Sequence, residues 1–180
     1  MKFGELYNLI NEDFDDSDSN IELILKSLEK HSNEKVAFLD GPVIIKSTEY
    51  TQTPQLFTFN KPVGFWYALG DAWGQHIKKF DKERYKDYHY IASLDIDYKN
   101  ILKIDTSQKF EDFNNKYSEK AFFGNAINWK KVEEDYKGIE IIPYRPDYRH
   151  TYMWYNMWDL ASGCIWDLSA IKNYKIIYNE

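Results

Sequence analysis

Side chains at three places in this sequence are of a kind that holds or transforms a ligand. The first is the run Lys61-Pro62-Val63-Gly64-Phe65-Trp66-Tyr67-Ala68-Leu69-Gly70-Asp71-Ala72-Trp73. Pro62 and Gly64 shape a turn, an aromatic triplet follows, and Gly70-Asp71 breaks the run, with Asp71 placed to cap a helix. In a strand, alternation sends Phe65 and Tyr67 to one face and Trp66 to the other. One of those faces can be core while the other lines a cleft, where rings hold a flat ligand. The second place is Glu140, inside Ile139-Glu140-Ile141-Ile142. A charge in an apolar strand is costly unless it is paired or faces a cleft; the alternative is the solvent face of an edge strand. The third is Asp159, which follows Trp158 and precedes a small-residue bend; it suits a turn cap or a site.

Other chemistries lack their residues. The glycines, at 4, 41, 64, 70, 74, 124, 138 and 163, form no dinucleotide-binding or phosphate-loop pattern, and there is no G-x-S-x-G elbow. His31, His76, His89 and His150 are scattered with no pair at ligand spacing, so no metal is expected. Asp16, Asp18 and Asn20 alternate as in a calcium loop, but Ile21 stands where that loop needs glycine. Cys164 lies in an apolar strand and reads as a buried, inert thiol. Trp154, Trp158 and Trp166 read as core. Arg145 and Arg149 flank Pro146 in a loop, either solvated or available to an anion.

The elements that must position these groups follow from periodicity. Residues 2–14 read as a short helix and Glu12–Asp18 as an acidic turn. Ser19-Asn20-Ile21-Glu22 is a capping box opening a helix to about His31, with Ile21, Ile24, Leu25 and Leu28 apolar. Val36–Leu39, Val43–Ile45, Leu56–Phe59, Tyr90–Ile96, Ile101–Ile104, Ile139–Ile142, the stretch around Cys164-Ile165-Trp166 and Tyr174–Tyr178 read as strands. Residues 72–80 read as helix. Thr106 or Ser107 caps a helix bearing Phe110, Phe113 and Tyr117; Asn128 caps another, with Trp129 and Val132 on one side and Gly138 as its stop. The fold class is α+β, with short, mostly antiparallel strands, inserted helices and an N-terminal helical lead-in. The division expected is 1–35 for the lead-in and 36–180 for the main domain.

The chain has 180 residues, long enough to bury about 70% of its unfolded surface without a metal or disulfide. Six Trp, 15 Tyr and 11 Phe can build a core and still leave flat rings for a ligand; the alternative is an aromatic core in a chain of A/T-rich coding, which also accounts for 20 Lys against three Arg. The net charge is −6, and residues 1–22 account for all of it. A chain without a basic footprint is not a non-specific nucleic-acid binder, although a small local patch would still serve an enzyme that acts on nucleic acid. A single cysteine suits a reducing, intracellular (cytoplasmic) setting, and no apolar run is long enough for a membrane span.

The run 61–73 resembles the central strand motif of ADP-ribosyltransferases of the diphtheria-toxin and poly(ADP-ribose) polymerase type. Gly64-Phe65-Trp66-Tyr67-Ala68 follows that motif's order, with Trp66 in place of the tyrosine that stacks on nicotinamide. Ser162-Gly163-Cys164-Ile165-Trp166-Asp167-Leu168 looks like the family's last motif strand. Val43-Ile44-Ile45-Lys46-Ser47-Thr48 looks like the first, with Lys46 where the family has His or Arg. The resemblance spans residues 36–178 loosely, and the segments around Asp95–Asp105, Ile127–Ile141 and Trp158–Trp166 look like a branch of ADP-ribosyltransferase-like proteins of bacteria, phages and large DNA viruses.

It implies an ADP-ribosyltransferase-like core, NAD as substrate and no metal. The implied activity is transfer of ADP-ribose to a macromolecular acceptor, protein or nucleic acid, with no membrane partner. Gly64, Phe65, Trp66, Tyr67 and Trp73 would form the aromatic pocket, and Lys46 and Ser47 would contact the nicotinamide ribose. Breaking the nicotinamide–ribose bond passes through an oxocarbenium-like state that a carboxylate stabilises. By register the family's glutamate falls at about Ala161 or Ser162, so Glu140 and Asp159 are the substitutes. Two other readings stand beside this one: a non-catalytic, immunity-type binding protein that masks a basic partner, and an NAD glycohydrolase.

Overall fold

The aromatic triplet sits in the centre of the fold. The structure, a computed structural model, describes residues 20–44, 47–53, 61–122 and 124–179. Its strands are β1 (Lys35–Leu39), β2 (Phe65–Leu69), β3 (Tyr90–Ile96), β4 (Ile101–Ile104), β5 (Ser118–Ala121), β6 (Gly124–Ile127), β7 (Gly138–Ile141), β8 (Ser162–Ile165) and β9 (Ile171–Asn179). Seven of them form one sheet in the order β4-β7-β8-β2-β1-β3-β9, and β5 and β6 form a separate hairpin. Every neighbouring pair in the large sheet is antiparallel except β4 with β7. The helices are α1 (20–28), α2 (Ala72–Phe80), α3 (Ser107–Tyr117) and α4 (Trp129–Asp135). The class is α+β, with a mostly antiparallel sheet, as expected.

Alternation along β2 decides which core each residue joins. Phe65 and Tyr67 pack with Ala37, Ala92, Leu94, Ile165 and Ile171 on one face of the sheet. Trp66 turns to the other face, against an aromatic cluster built on Phe110, Phe113, Trp129, Trp154, Tyr155 and Trp158. That same face carries a second cluster farther along, where Ile21, Ile24 and Leu28 of α1 meet Val36, Ile77 and Ile91. The described part of the lead-in therefore packs on the same sheet as the body. Each large apolar side chain so buried contributes roughly 1.5–3 kcal/mol. Trp129 and Trp154 are both almost fully buried, and Trp158 joins them.

Several expected elements appear where the pattern put them: α2, β3, β4, α3 capped by Thr106, and α4 capped by Asn128. The expected helix over 2–14, the acidic turn, the Ser19 cap and the strand over 56–59 lie outside the described residues. Val43 and Ile44 are not in a strand; the first strand is β1, and Ile44 fills the core as coil, its N–H donating to Tyr174 Oη at 3.3 Å. Gly138 does not stop α4. It begins β7, where an added Cβ would meet the Cys164 carbonyl oxygen at 2.7 Å. Asp71 occupies the cap position of α2, but its carboxylate accepts from Gln75 instead of a backbone N–H.

Gly163 also leaves space that a side chain would fill. It lies opposite Tyr67 in β2 and Glu140 in β7, and an added Cβ would overlap the Tyr67 ring. Gly163→Ala is expected to destabilise the fold by about 2–4 kcal/mol in urea titration. Gly41→Ala, where an added Cβ meets nothing within 4 Å, is expected to change stability by no more than about 0.5 kcal/mol.

Candidate functional site

A cavity of about 310 Å³ opens on the Trp66 face, at the seam between the two clusters. Val36 and Phe38 of β1, Ala68 of β2 and Ser162 of β8 lie along the sheet beneath it; Trp66, Trp73 and Tyr88 bring rings, and Lys61, Arg84 and Asp159 bring charge. Trp66 is braced by Trp158, with ring centroids 5.0 Å apart and edge to face. Trp73 stands at the start of α2, stacked on His76 one turn later.

The charged groups are held from behind. Lys61 Nζ lies 3.3 Å from Asp159 Oδ2 and 5.1 Å from the Trp66 ring centre. Asp159 Oδ1 faces Arg149 Nη2 at 3.5 Å. Arg149 also donates through Nε and Nη2 to the Asn156 carbonyl oxygen, at 3.1 and 2.7 Å. Arg84 is paired with Asp81 at 3.6 Å. The approach to β2 is fixed by Gln52, which is buried. Its Nε2 donates to the Val63 carbonyl at 2.5 Å, and its Oε1 accepts from Val63 N–H at 2.9 Å. The side-chain amide thus stands in for a neighbouring strand. Gln52 lies in Thr51-Gln52-Thr53, a polar stretch with no motif, and sequence reasoning missed it.

Glu140 occupies a different place. β7 is an interior strand, so the edge-strand alternative does not hold, and the side chain is only 3% exposed. It lies on the Tyr67 face, opposite to Trp66. Tyr67 Oη donates to Glu140 Oε2 at 3.0 Å and Tyr98 Oη donates to the same oxygen at 2.8 Å. Lys35 Nζ is 3.3 Å from Oε2 and Lys103 Nζ 3.8 Å from Oε1. Lys103 also sits over the Tyr98 ring at 4.5 Å. Two phenols and two ammonium groups thus compensate the burial of one carboxylate. Burial, followed by the adjacent Glu140 charge, pushes the Tyr67 phenol well above the ordinary tyrosine value, and the same two causes raise Tyr98.

The structure therefore divides the residues expected to act together. Trp66, Trp73 and Asp159 share the 310 Å³ cavity. Tyr67 also borders that cavity, but its ring and that of Phe65 pack on the opposite face, where the Tyr67 hydroxyl meets Glu140. Gly64 closes against β8, with Cys164 Sγ 2.6 Å from where its Cβ would be. Ser47 lines another, more polar cavity of about 740 Å³ with Glu49, Glu133, Asp135 and Asp167. Lys46 lies outside the described residues. Arg149 meets Asp159, whereas Arg145 reaches Ser107 and the Asp105 carbonyl. Cys164 is buried, and burial raises its thiol well above the usual value.

Among the described residues no cluster of three or more side chains is fit to hold a metal ion, and no helix is long and apolar enough to cross a membrane. Comparison with protein-family models, with curated proteins and with solved structures finds no match.

The raised phenols set a pH dependence. A folded-state value above the unfolded one, near 10 for tyrosine, contributes stability that is complete below that pH and is lost as pH rises toward the folded values. Burial also carries Tyr155 up to about 12. Urea midpoints are expected to be flat from pH 8 to about 9.5 and to fall above pH 10. Tyr98→Phe is expected to cost about 2 kcal/mol at neutral pH, the worth of a hydrogen bond to a charged group, and to fall less steeply in alkali. Equal alkaline slopes for the two proteins would contradict the role given to Tyr98.

Proposed function

We propose that the Trp66 cavity takes the nicotinamide–ribose end of NAD and that the chain transfers ADP-ribose from it to a macromolecular acceptor. The observation that carries this reading is the convergence of Trp66, Trp73 and Asp159 on one cavity. Its setting agrees with the motif resemblance: β2, the counterpart of the family's central strand, pairs directly with β8, the counterpart of its last, with Trp66 beside Cys164 and Ala68 beside Ser162. Ser162, one of the two positions (with Ala161) at which the resemblance places the family's glutamate, lines the same cavity, and its hydroxyl is turned to the Leu160 carbonyl. Asp159 is the one carboxylate among the described lining residues. A cavity of about 310 Å³ is at the small end for ligand sites, suited to one ring and its sugar.

In the reaction the bond between ribose C1′ and the nicotinamide nitrogen breaks, and its electron pair leaves with the ring as neutral nicotinamide. The ribose becomes oxocarbenium-like, and the Asp159 carboxylate, fixed by Arg149, stabilises the developing charge. The acceptor's nucleophile bonds to C1′ and gives up one proton to solvent. Trp66 and Trp73 hold the ring flat and keep water from one side of it.

Nicotinamide release from labelled NAD, with and without cell lysate, tests the assignment. Asp159→Asn and Trp66→Ala are each expected to lower the rate about 100-fold, the usual scale for losing one transition-state contact. Glu140→Gln is expected to act through stability, so that folded protein retains its turnover. Absence of both turnover and NAD binding in the wild-type chain would discard the transferase reading and leave the binding-protein reading in front.

A further inference from the structure

The cavity contains a cation that belongs to the chain. Lys61 Nζ lies 5.1 Å above the Trp66 ring and 3.3 Å from Asp159 Oδ2. An aromatic face and a carboxylate converging on one ammonium make a complete cation site, since the ring presents negative potential on its face and the carboxylate a full charge. The receiving half of that site is built without the lysine. Trp66 is braced by Trp158, and Asp159 is held through its other oxygen by Arg149, itself anchored on the Asn156 carbonyl. Lys61 is the movable partner: a flexible stem whose side chain is 32% exposed. A flat ring carrying the charge would cover more of the Trp66 face than a compact ammonium does.

We propose that Trp66 and Asp159 form a site for a planar organic cation and that Lys61 is its internal occupant, displaced when such a ligand enters. This rests on the reading that the cavity is the ligand site, and it adds what the site discriminates. It selects a charged ring, such as a pyridinium, over the same ring without charge. A ring that loses its charge on leaving the ribose then loses its hold on the site, and Lys61 returns.

Calorimetric titration with 1-methylnicotinamide, whose ring nitrogen is quaternised to a permanent pyridinium cation, and with neutral nicotinamide tests this in wild type, Lys61→Ala and Lys61→Arg. Removing the lysine is expected to raise the cation-over-neutral affinity ratio about tenfold, by freeing a cation–π contact and an ion pair. Lys61→Arg, which keeps an internal cation, is expected to leave the ratio within about twofold of wild type. Lys61→Met keeps the stem without the charge and serves if the alanine variant does not fold. A ratio unchanged or lowered in the charge-free variant, equal tightening of both ligands, or no cation binding at all would each overturn the proposal. NAD turnover and NAD binding in the same preparations separate the two readings: a raised ratio with neither turnover nor NAD binding keeps the cation site and discards the transferase, and turnover with an unchanged ratio does the reverse.

Discussion

The hydrogen bond from Tyr67 to Glu140 spans a strand. The two residues belong to β2 and β7, and β8 runs between them. The phenol reaches the carboxylate only because Gly163 leaves room for its ring. This fixes the register of the central strands, and in a strand a slip of one residue exchanges the two faces. With Tyr67 held toward Glu140, Trp66 must face the cavity and Ala68 must lie along its floor. A buried acid on one side of the sheet thus orients the aromatic wall on the other. The charge is tolerated because Lys35 and Lys103 approach from strands on either side of it while the phenols occupy one of its oxygens.

The cavity divides its labour between sheet and loops. β1, β2 and β8 supply its floor and the indole of Trp66, whose positions follow from strand pairing. Charge comes from outside the strands, on Lys61, Arg84 and Asp159. Such groups hold position only if something holds them, and here Arg149 ties Asp159 to the Asn156 backbone while Gln52 fixes Val63 two residues after Lys61. Side-chain hydrogen bonds to backbone do the work that a ladder does inside the sheet.

Much of this architecture was legible where a residue's neighbours in sequence are also its neighbours in space. Thr106 and Asn128 cap their helices because a side-chain oxygen meets an N–H three residues on. The opposed directions of Trp66 and Tyr67 follow from alternation alone. The hairpin of β5 and β6 was not legible: Ser118-Glu119-Lys120-Ala121 has no apolar face and little strand propensity. The burden on Glu140 was visible as a charge in an apolar strand, but its partners were not, since Tyr67 is 73 residues away and Tyr98 is 42. Asp159 meets Lys61 across 98 residues. Long-range charge pairs leave no period in the sequence, and these are what decide which carboxylate accompanies Trp66.

Among the described residues, the outermost strands of the large sheet, β4 and β9, have a bearing on how the molecule behaves at high concentration. An edge offers unpaired backbone groups to any other chain, and proteins blunt edges with short strands and lysines. β4 is four residues long and carries Lys103; β9 is nine residues long and carries Lys172 and Lys175. Lys103 is therefore a guard against sheet-to-sheet aggregation as well as a counter-ion to Glu140. The balance of the interior charge and the colloidal stability of the surface meet in one side chain, so selection for solubility and selection for the central register act on the same residue.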